Sequence, residues 1–299
     1  MHVLITGATG LIGSALVKQL LAFSHQVTAL TRSPNIAREV LGDQVQLLDS
    51  LKSLTNLNEI DAVVNLAGEP IANRRWSKPQ KNRIENSRWS TTETLVELIA
   101  KSSSPPSVLI SGSAVGYYGK QRDNIVTEAD EPSRQDFGHR LCAIWEDIAL
   151  GAQSLNTRVC LLRTGIVLAP NGGALEKLLL PFKLGIGGPI GNGKHYMPWI
   201  HIDDMVAAIL FLLDNAQCSG AYNLTAPSPV TNKTFSKALA KTLKRPAILP
   251  TPPIMLKILF GEMSEILLQG QNAIPDKLQQ NGYKFKYDHI EKALHSLDL

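Results

Sequence analysis

Short blocks of β-branched residues alternate with longer stretches in which apolar side chains recur every three or four positions. The first block is HVLIT (residues 2–6), and the stretch after it places Leu16, Leu20 and Leu21 on one face. Further strand-like blocks are QVTALTR (26–32), VQLLD (45–49), DAVVNLAGEP (61–70), SVLISGS (107–113) and TRVCLLRTGIVLAP (157–170). Helical spacing is carried by SRWSTTETLVELIAK (87–101), which buries Leu95, Leu98 and Ile99, and by DFGHRLCAIWED (136–147). DMVAAILFLLDN (204–215) and NKTFSKALAKTLKRP (232–246) repeat it, and a Pro-rich segment leads to a helical region from Ile254 onward. Strands alternating with helices predict an α/β chain whose parallel sheet is covered on both faces.

Between the first strand and the first helix lie Gly7, Gly10 and Gly13. This order, strand, glycine turn, helix, is the context in which a glycine motif cradles a dinucleotide. The turn is tight, backbone approaches a pyrophosphate closely, and the helix start offers free N–H groups to phosphate. Arg32 ends the second strand about twenty residues further on, where a carboxylate would grip the ribose of NAD. A guanidinium cannot accept that hydrogen bond and suits a 2′-phosphate, so the pattern favours NADP over NAD. In a doubly wound sheet the strand C-termini line the ligand crevice. The expected cofactor contacts are therefore Gly7, Thr9, Gly10, Leu11, Ile12 and Gly13 in the turn, then Thr31 and Arg32. Leu66, Ala67 and Gly68 follow at the fourth strand, with Arg88 and Arg163 completing the set.

Composition adds bounds. The 299 residues are 44% hydrophobic and 19% charged, with a net charge of +4. That describes a globular chain, and no basic field argues for nucleic acid. No apolar run approaches the roughly 18 residues of a membrane span, and MHVLITG reads as a first strand rather than a leader, so the expected location is cytoplasmic without membrane association. Cys142, Cys160 and Cys218 are isolated core thiols, with neither disulfide nor zinc spacing. Residues 74–88 carry six basic side chains against Glu85 alone, either a solvated helix face or an attraction for an anionic ligand.

GATGLIG at the start, NLAG, LISGSAVGYYG, WIHIDDMVAAI (199–209) and GAYNLTAPSPVT (220–231) together resemble the extended short-chain dehydrogenase/reductases, the NAD(P)-dependent epimerase/dehydratase group. RTGIVLAPNGGAL, PFKLGIGGPIGNGKHYMPWIHIDD and GEMSEILLQGQNAIPDKLQQNGYKFKY look like its subgroup of epimerase family proteins. The resemblance implies a Rossmann-type doubly wound sheet formed by residues 1–169, with 195–225 returning to it. Residues 170–194 and 226–299 would form a substrate-side, C-terminal cap. It further implies a small-molecule substrate and is compatible with a homodimer.

The parent family uses Ser or Thr, Tyr and Lys, the last two one helical turn apart so that both face the nicotinamide. An ammonium and the cofactor's charge make the phenolate accessible near neutral pH. Here Ser113 stands in the serine position, yet no tyrosine has a lysine four residues later. Tyr118 has Arg122 at that spacing, in a turn-rich stretch. The helix at 136–147 offers Phe137 or Gly138 for the tyrosine and Leu141 or Cys142 for the lysine.

Three readings stay open. Tyr117 or Tyr118 reaches the substrate, with His139 or Arg140 supplying charge or a proton; other acids and bases act, such as Asp136 with His139; or the chain binds NADP without redox chemistry. The catalytic candidates are Ser113, Tyr117, Tyr118 and His139. The functional expectation is an NADP-binding oxidoreductase or epimerase-like protein with an altered Tyr/Lys site, the alternative a non-catalytic NADP-binding regulator linked to cell division. GPIGNGKH (188–195) has P-loop spacing, but His195 replaces the magnesium-holding hydroxyl and no strand precedes it. Asp203 and Asp204 cap a helix rather than bind metal, with His201 beside them, and no metal is expected.

Overall fold

A seven-stranded sheet carries the fold of the computed structural model, which describes residues 1–299 apart from Arg122, Arg134 and Ile248. Its first five strands are β1 (His2–Thr6), β2 (Gln26–Leu30), β3 (Gln46–Leu48), β4 (Ala62–Asn65) and β5 (Val108–Ala114). The strands Arg158–Thr164 and Gly220–Leu224 follow β5 outward, β4 pairs with β1, and β1 leads through β2 to β3. Every pair in this sheet is parallel. The chain reverses its direction of winding between β1 and β4, the switch point at which such sheets open a crevice beyond their C-terminal ends.

Period-two alternation distributes the strands between two cores. Val3, Ile5, Val64 and Ile110 pack toward α1 (Leu11–Ala22), α2 (Pro34–Leu41) and α6 (Ile202–Asp214). Leu4, Val63, Leu109 and Val159 pack toward α3 (Lys78–Ala100) and α4 (Phe137–Leu150), with Leu95, Leu98 and Ile99 buried as expected. α3 begins nine residues before the stretch that its apolar spacing marks, because Ser77 caps it and Pro79 fits its first turn. The residues expected as one long sixth strand divide: Ile166–Leu168 leaves the sheet and pairs with Trp199–His201.

A separate core holds α5 (Gly173–Lys183), α7 (Asn232–Thr242) and, after α8 (Pro253–Phe260), α9 (Ser264–Leu268) and α10 (Asp276–Gln280), the last helix α11 (Ile290–Ser296). Its centre is Trp199, Phe235, Leu239 and Leu294. The C-terminal segment is stitched to the start of α6: Asp204 accepts from the backbone N–H groups of Lys286 (2.8 Å) and Tyr287 (2.9 Å). The capping residue of α6 is His201, whose Nδ1 accepts from the Asp203 N–H at 3.1 Å, so Asp204 serves the tail instead of its own helix. No described helix is long and apolar enough to cross a membrane.

Candidate active site

The glycine turn has the expected geometry. Gly7 sits at φ +69°, and a Cβ there would come within 2.7 Å of the Leu66 carbonyl carbon. At Gly13 a Cβ would lie 2.2 Å from the Gly7 carbonyl oxygen, so α1 closes on the turn only because that side chain is missing. Gly10, the N-cap, provides no side-chain hydrogen bond, and the first N–H groups of α1 are left for another acceptor. Thr9 is exposed beside them, Leu11 lies under the Gly172–Gly173 backbone, and Ile12 packs against the sheet core.

Past β2, Thr31 is buried and its hydroxyl accepts from the Ser33 N–H at 3.1 Å, while Arg32 is exposed with no ion pair among the described residues. Beyond β4 the chain turns under the control of Thr6, which accepts from the Ala67 N–H at 3.1 Å and donates to Asn65 at 2.7 Å. Leu66 and Ala67 are half-buried and Gly68 is exposed. The Arg88 guanidinium lies on Gly68: a Cβ there would meet its central carbon at 2.8 Å. Glycine turn, β4 end and Arg88 therefore form one continuous surface at the switch point.

A buried polar chain runs beneath the catalytic candidates. Ser113 donates to Glu146 at 2.6 Å, and Glu146 receives the Arg163 fork at 2.9 and 2.8 Å. Arg163 also donates to the Tyr118 hydroxyl at 3.0 Å, and Tyr118 donates to Asn223 at 2.8 Å. Burial alone would lower the Arg163 pKa; the hydrogen bonds and charge of Glu146 outweigh it and hold the pKa above its ordinary value. Burial pushes Tyr118 up to about 12, against the pull of Arg163. Tyr118 has no solvent exposure and both sides of its hydroxyl are engaged, which is the geometry of a strut. Arg163 likewise spends its guanidinium within this chain, on Glu146 and the Tyr118 hydroxyl. Arg122, four residues after Tyr118, lies outside the described residues.

Above the chain, the Tyr117 ring covers the Arg163 guanidinium at 3.5 Å and tilts toward His139, ring centres 5.4 Å apart. His139 Nδ1 lies 2.7 Å from the Tyr117 carbonyl oxygen. A carbonyl only accepts, so Nδ1 carries the proton and Nε2 keeps its lone pair. Asp136 caps α4 by accepting from the His139 N–H at 3.0 Å, and Arg140 pairs with Glu85 on α3. Both are thereby committed to structure. Phe137 meets Trp76 edge-on at 4.7 Å, with Lys81 4.9 Å from the Phe137 ring centre and paired with Glu262.

Glu146 and Trp145 were not among the sequence candidates. Their signal was a charged residue inside the buried stripe Leu141, Cys142, Trp145, Ala149 of α4. Cys142, one of the two residues that the resemblance sets against the family's lysine, is a buried thiol pushed up to about 11 by burial and by Glu146, hence inert. In the P-loop-like segment Gly191 donates to Thr251 and Gly193 to Ile190, so those N–H groups are not presented to phosphate. Among the described residues no group of three His, Cys, Asp or Glu side chains is placed to hold a metal.

The NAD dependent epimerase/dehydratase family model matches residues 3–225, and a domain of unknown function (DUF1731) matches residues 251–297. An epimerase family protein SDR39U1 homolog, chloroplastic, of Arabidopsis thaliana is 38% identical over 99% of this chain and 86% of its own. An epimerase family protein of Staphylococcus aureus is 36% identical over 98% of each chain. The crystal structure of human epimerase family protein SDR39U1 (isoform 2) with NADPH superposes with a TM-score of 0.92 at 36% identity, covering 100% of this chain and 99% of that one. With its switch-point crevice, glycine turn and full-length relatives, the chain belongs to the NAD dependent epimerase/dehydratase family.

Proposed function

We propose that the chain is an NADP-binding oxidoreductase or epimerase-like enzyme acting on a small molecule, with Tyr117, His139 and Ser113 in place of the usual catalytic set. The observation that carries this reading is the fit of the crevice to a phosphorylated dinucleotide: an uncapped helix start over a glycine turn, with Arg32 free at the end of β2. The human relative's structure with NADPH supports it. Leu11 and Ile12 would hold the pyrophosphate through backbone N–H groups, with Gly10, whose own N–H is spent on the Gly7 carbonyl, leaving room for it; Arg32 would hold the 2′-phosphate, and Leu66, Ala67, Gly68 and Arg88 the floor.

NADPH, when bound, supplies a hydride. His139 Nε2 is the group able to take or return a proton at a substrate oxygen, because Nδ1 is spent on the Tyr117 carbonyl. Ser113 donates its hydroxyl hydrogen to Glu146 and would offer the substrate lone pairs only. Arg74, Arg75, Lys78 and Arg83 are exposed, with Arg75 lying against Gly261 of the C-terminal region, and would favour an anionic substrate. A second reading, an NADP-binding regulator, draws on the inward commitment of Ser113 and Tyr118. Stereospecifically labelled NADPH incubated with a panel of carbonyl compounds separates the two. Loss of label from one face supports the enzyme; complete retention with bound cofactor supports the regulator.

A further inference from the structure

The parent family places a lysine on the helix corresponding to α4, one turn after its tyrosine. Here Leu141 or Cys142 stands at that position, and both are buried, with the Cys142 thiol beside Ser113. The crevice nevertheless contains a cation, and it arrives from the opposite side. Arg88 projects from α3, lays its guanidinium on Gly68 and comes within 5.3 Å of the Trp145 ring centre on α4.

The arm is built to stay there. Arg88 Nη1 donates to the carbonyls of Ile84 (3.0 Å) and Glu69 (3.1 Å). Trp145 is fixed by donation to Thr92 at 2.9 Å, and Thr92 donates back to the Arg88 carbonyl at 2.7 Å. At Gly112 a Cβ would come within 2.7 Å of the Trp145 ring, so the strand floor is also cut to fit the indole. Nη2 and Nε make no hydrogen bond to protein among the described residues, and no carboxylate there pairs with Arg88. Burial lowers the Arg88 pKa and the nearby charge of Glu69 offsets only part of that; a largely buried cation bonded to backbone carbonyls, with one edge of its fork free, is costly unless an anionic or oxygen-rich ligand completes it.

We infer that Arg88 supplies, from α3, the positive charge that the missing lysine would have brought to the crevice, and meets the phosphate and nicotinamide-side ribose of the cofactor with the free edge of its fork. This rests on the NADP reading. With no lysine on α4, Arg88 places a positive charge beside the floor of β4. It also makes Gly68 and Gly112 part of the same device, because either Cβ would displace the arm or its aromatic support.

The test is a titration of wild type, Arg88→Met, Arg88→Gln and Arg88→Lys with NADPH, followed by nicotinamide fluorescence, with each variant's thermal midpoint recorded. Arg88→Met should weaken NADPH binding roughly 10- to 100-fold, Arg88→Lys should recover most of it, and added guanidinium ion should partly restore the methionine variant. Arg88→Gln can still donate to the Ile84 or Glu69 carbonyl, and it decides the matter if the methionine variant fails to fold. Neutral variants that bind NADPH within about twofold of wild type while losing thermal stability would overturn the inference and leave Arg88 a packing residue. Failure of wild type itself to bind NADPH would instead remove the NADP reading beneath it.

Discussion

His139 Nδ1 and the Tyr117 carbonyl oxygen lie 2.7 Å apart, joining the start of α4 to the turn that follows β5. That hydrogen bond selects one tautomer and leaves Nε2 as the only unengaged ring nitrogen. His139→Asn keeps an N–H able to reach the carbonyl but removes the base. With whichever carbonyl compound accepts label from the wild type, transfer should fall on the order of 100-fold or more, while NADPH affinity stays within about threefold. Unchanged transfer would assign the proton step elsewhere.

Glu146 and Arg163 form a two-pronged pair whose side chains are 6% and 7% exposed. Replacing Glu146 alone by Leu leaves Arg163 charged and buried, and urea denaturation should show a loss of about 3–5 kcal/mol. Adding Arg163→Met should return part of that loss, since two apolar groups leave no uncompensated charge. A double variant less stable than the single one would contradict this account.

The sheet and its switch point were legible because their determinants are local. Alternation in HVLIT and AVVN, and glycines that the turn cannot do without, specify themselves over a few residues. The catalytic candidates were legible only in part. Tyr118 donates to Asn223, 105 residues away, while Ser113 and Arg163 both turn to Glu146, 33 and 17 residues away. No spacing rule registers such long-range pairing. The same holds for Asp204, read as a cap and found to hold backbone more than 80 residues later.

Two glycines of the turn separate stability from binding. Gly13→Ala drives a Cβ against the Gly7 carbonyl and should cost roughly 1–3 kcal/mol of stability, measured by thermal melting. Gly10→Ala meets nothing closer than the Gly7 oxygen at 3.2 Å, so its loss should be seen in NADPH affinity with little change in melting. The reverse ranking would displace the phosphate site from the start of α1.

His201 is buried against Tyr287, ring centres 3.9 Å apart, and burial lowers its pKa from 6.5 to about 4. Between those values the unfolded chain binds the extra proton. The neutral imidazole's contribution is therefore complete above pH 6.5 and is lost as pH falls toward 4. Unfolding free energies of wild type and His201→Asn from urea denaturation should converge over that window, by about 2–3 kcal/mol in total. A difference that stays constant with pH would exclude burial of the neutral ring as the cause.

Arg32 is expected to make the crevice between β1 and β4 selective for the 2′-phosphorylated dinucleotide, and calorimetric titration of wild type and Arg32→Ala with NADPH and NADH measures that selectivity. Wild type should prefer NADPH, and the substitution should weaken NADPH by roughly 1–3 kcal/mol while leaving NADH nearly unchanged. Equal losses for both cofactors, or wild-type binding of neither, would contradict it.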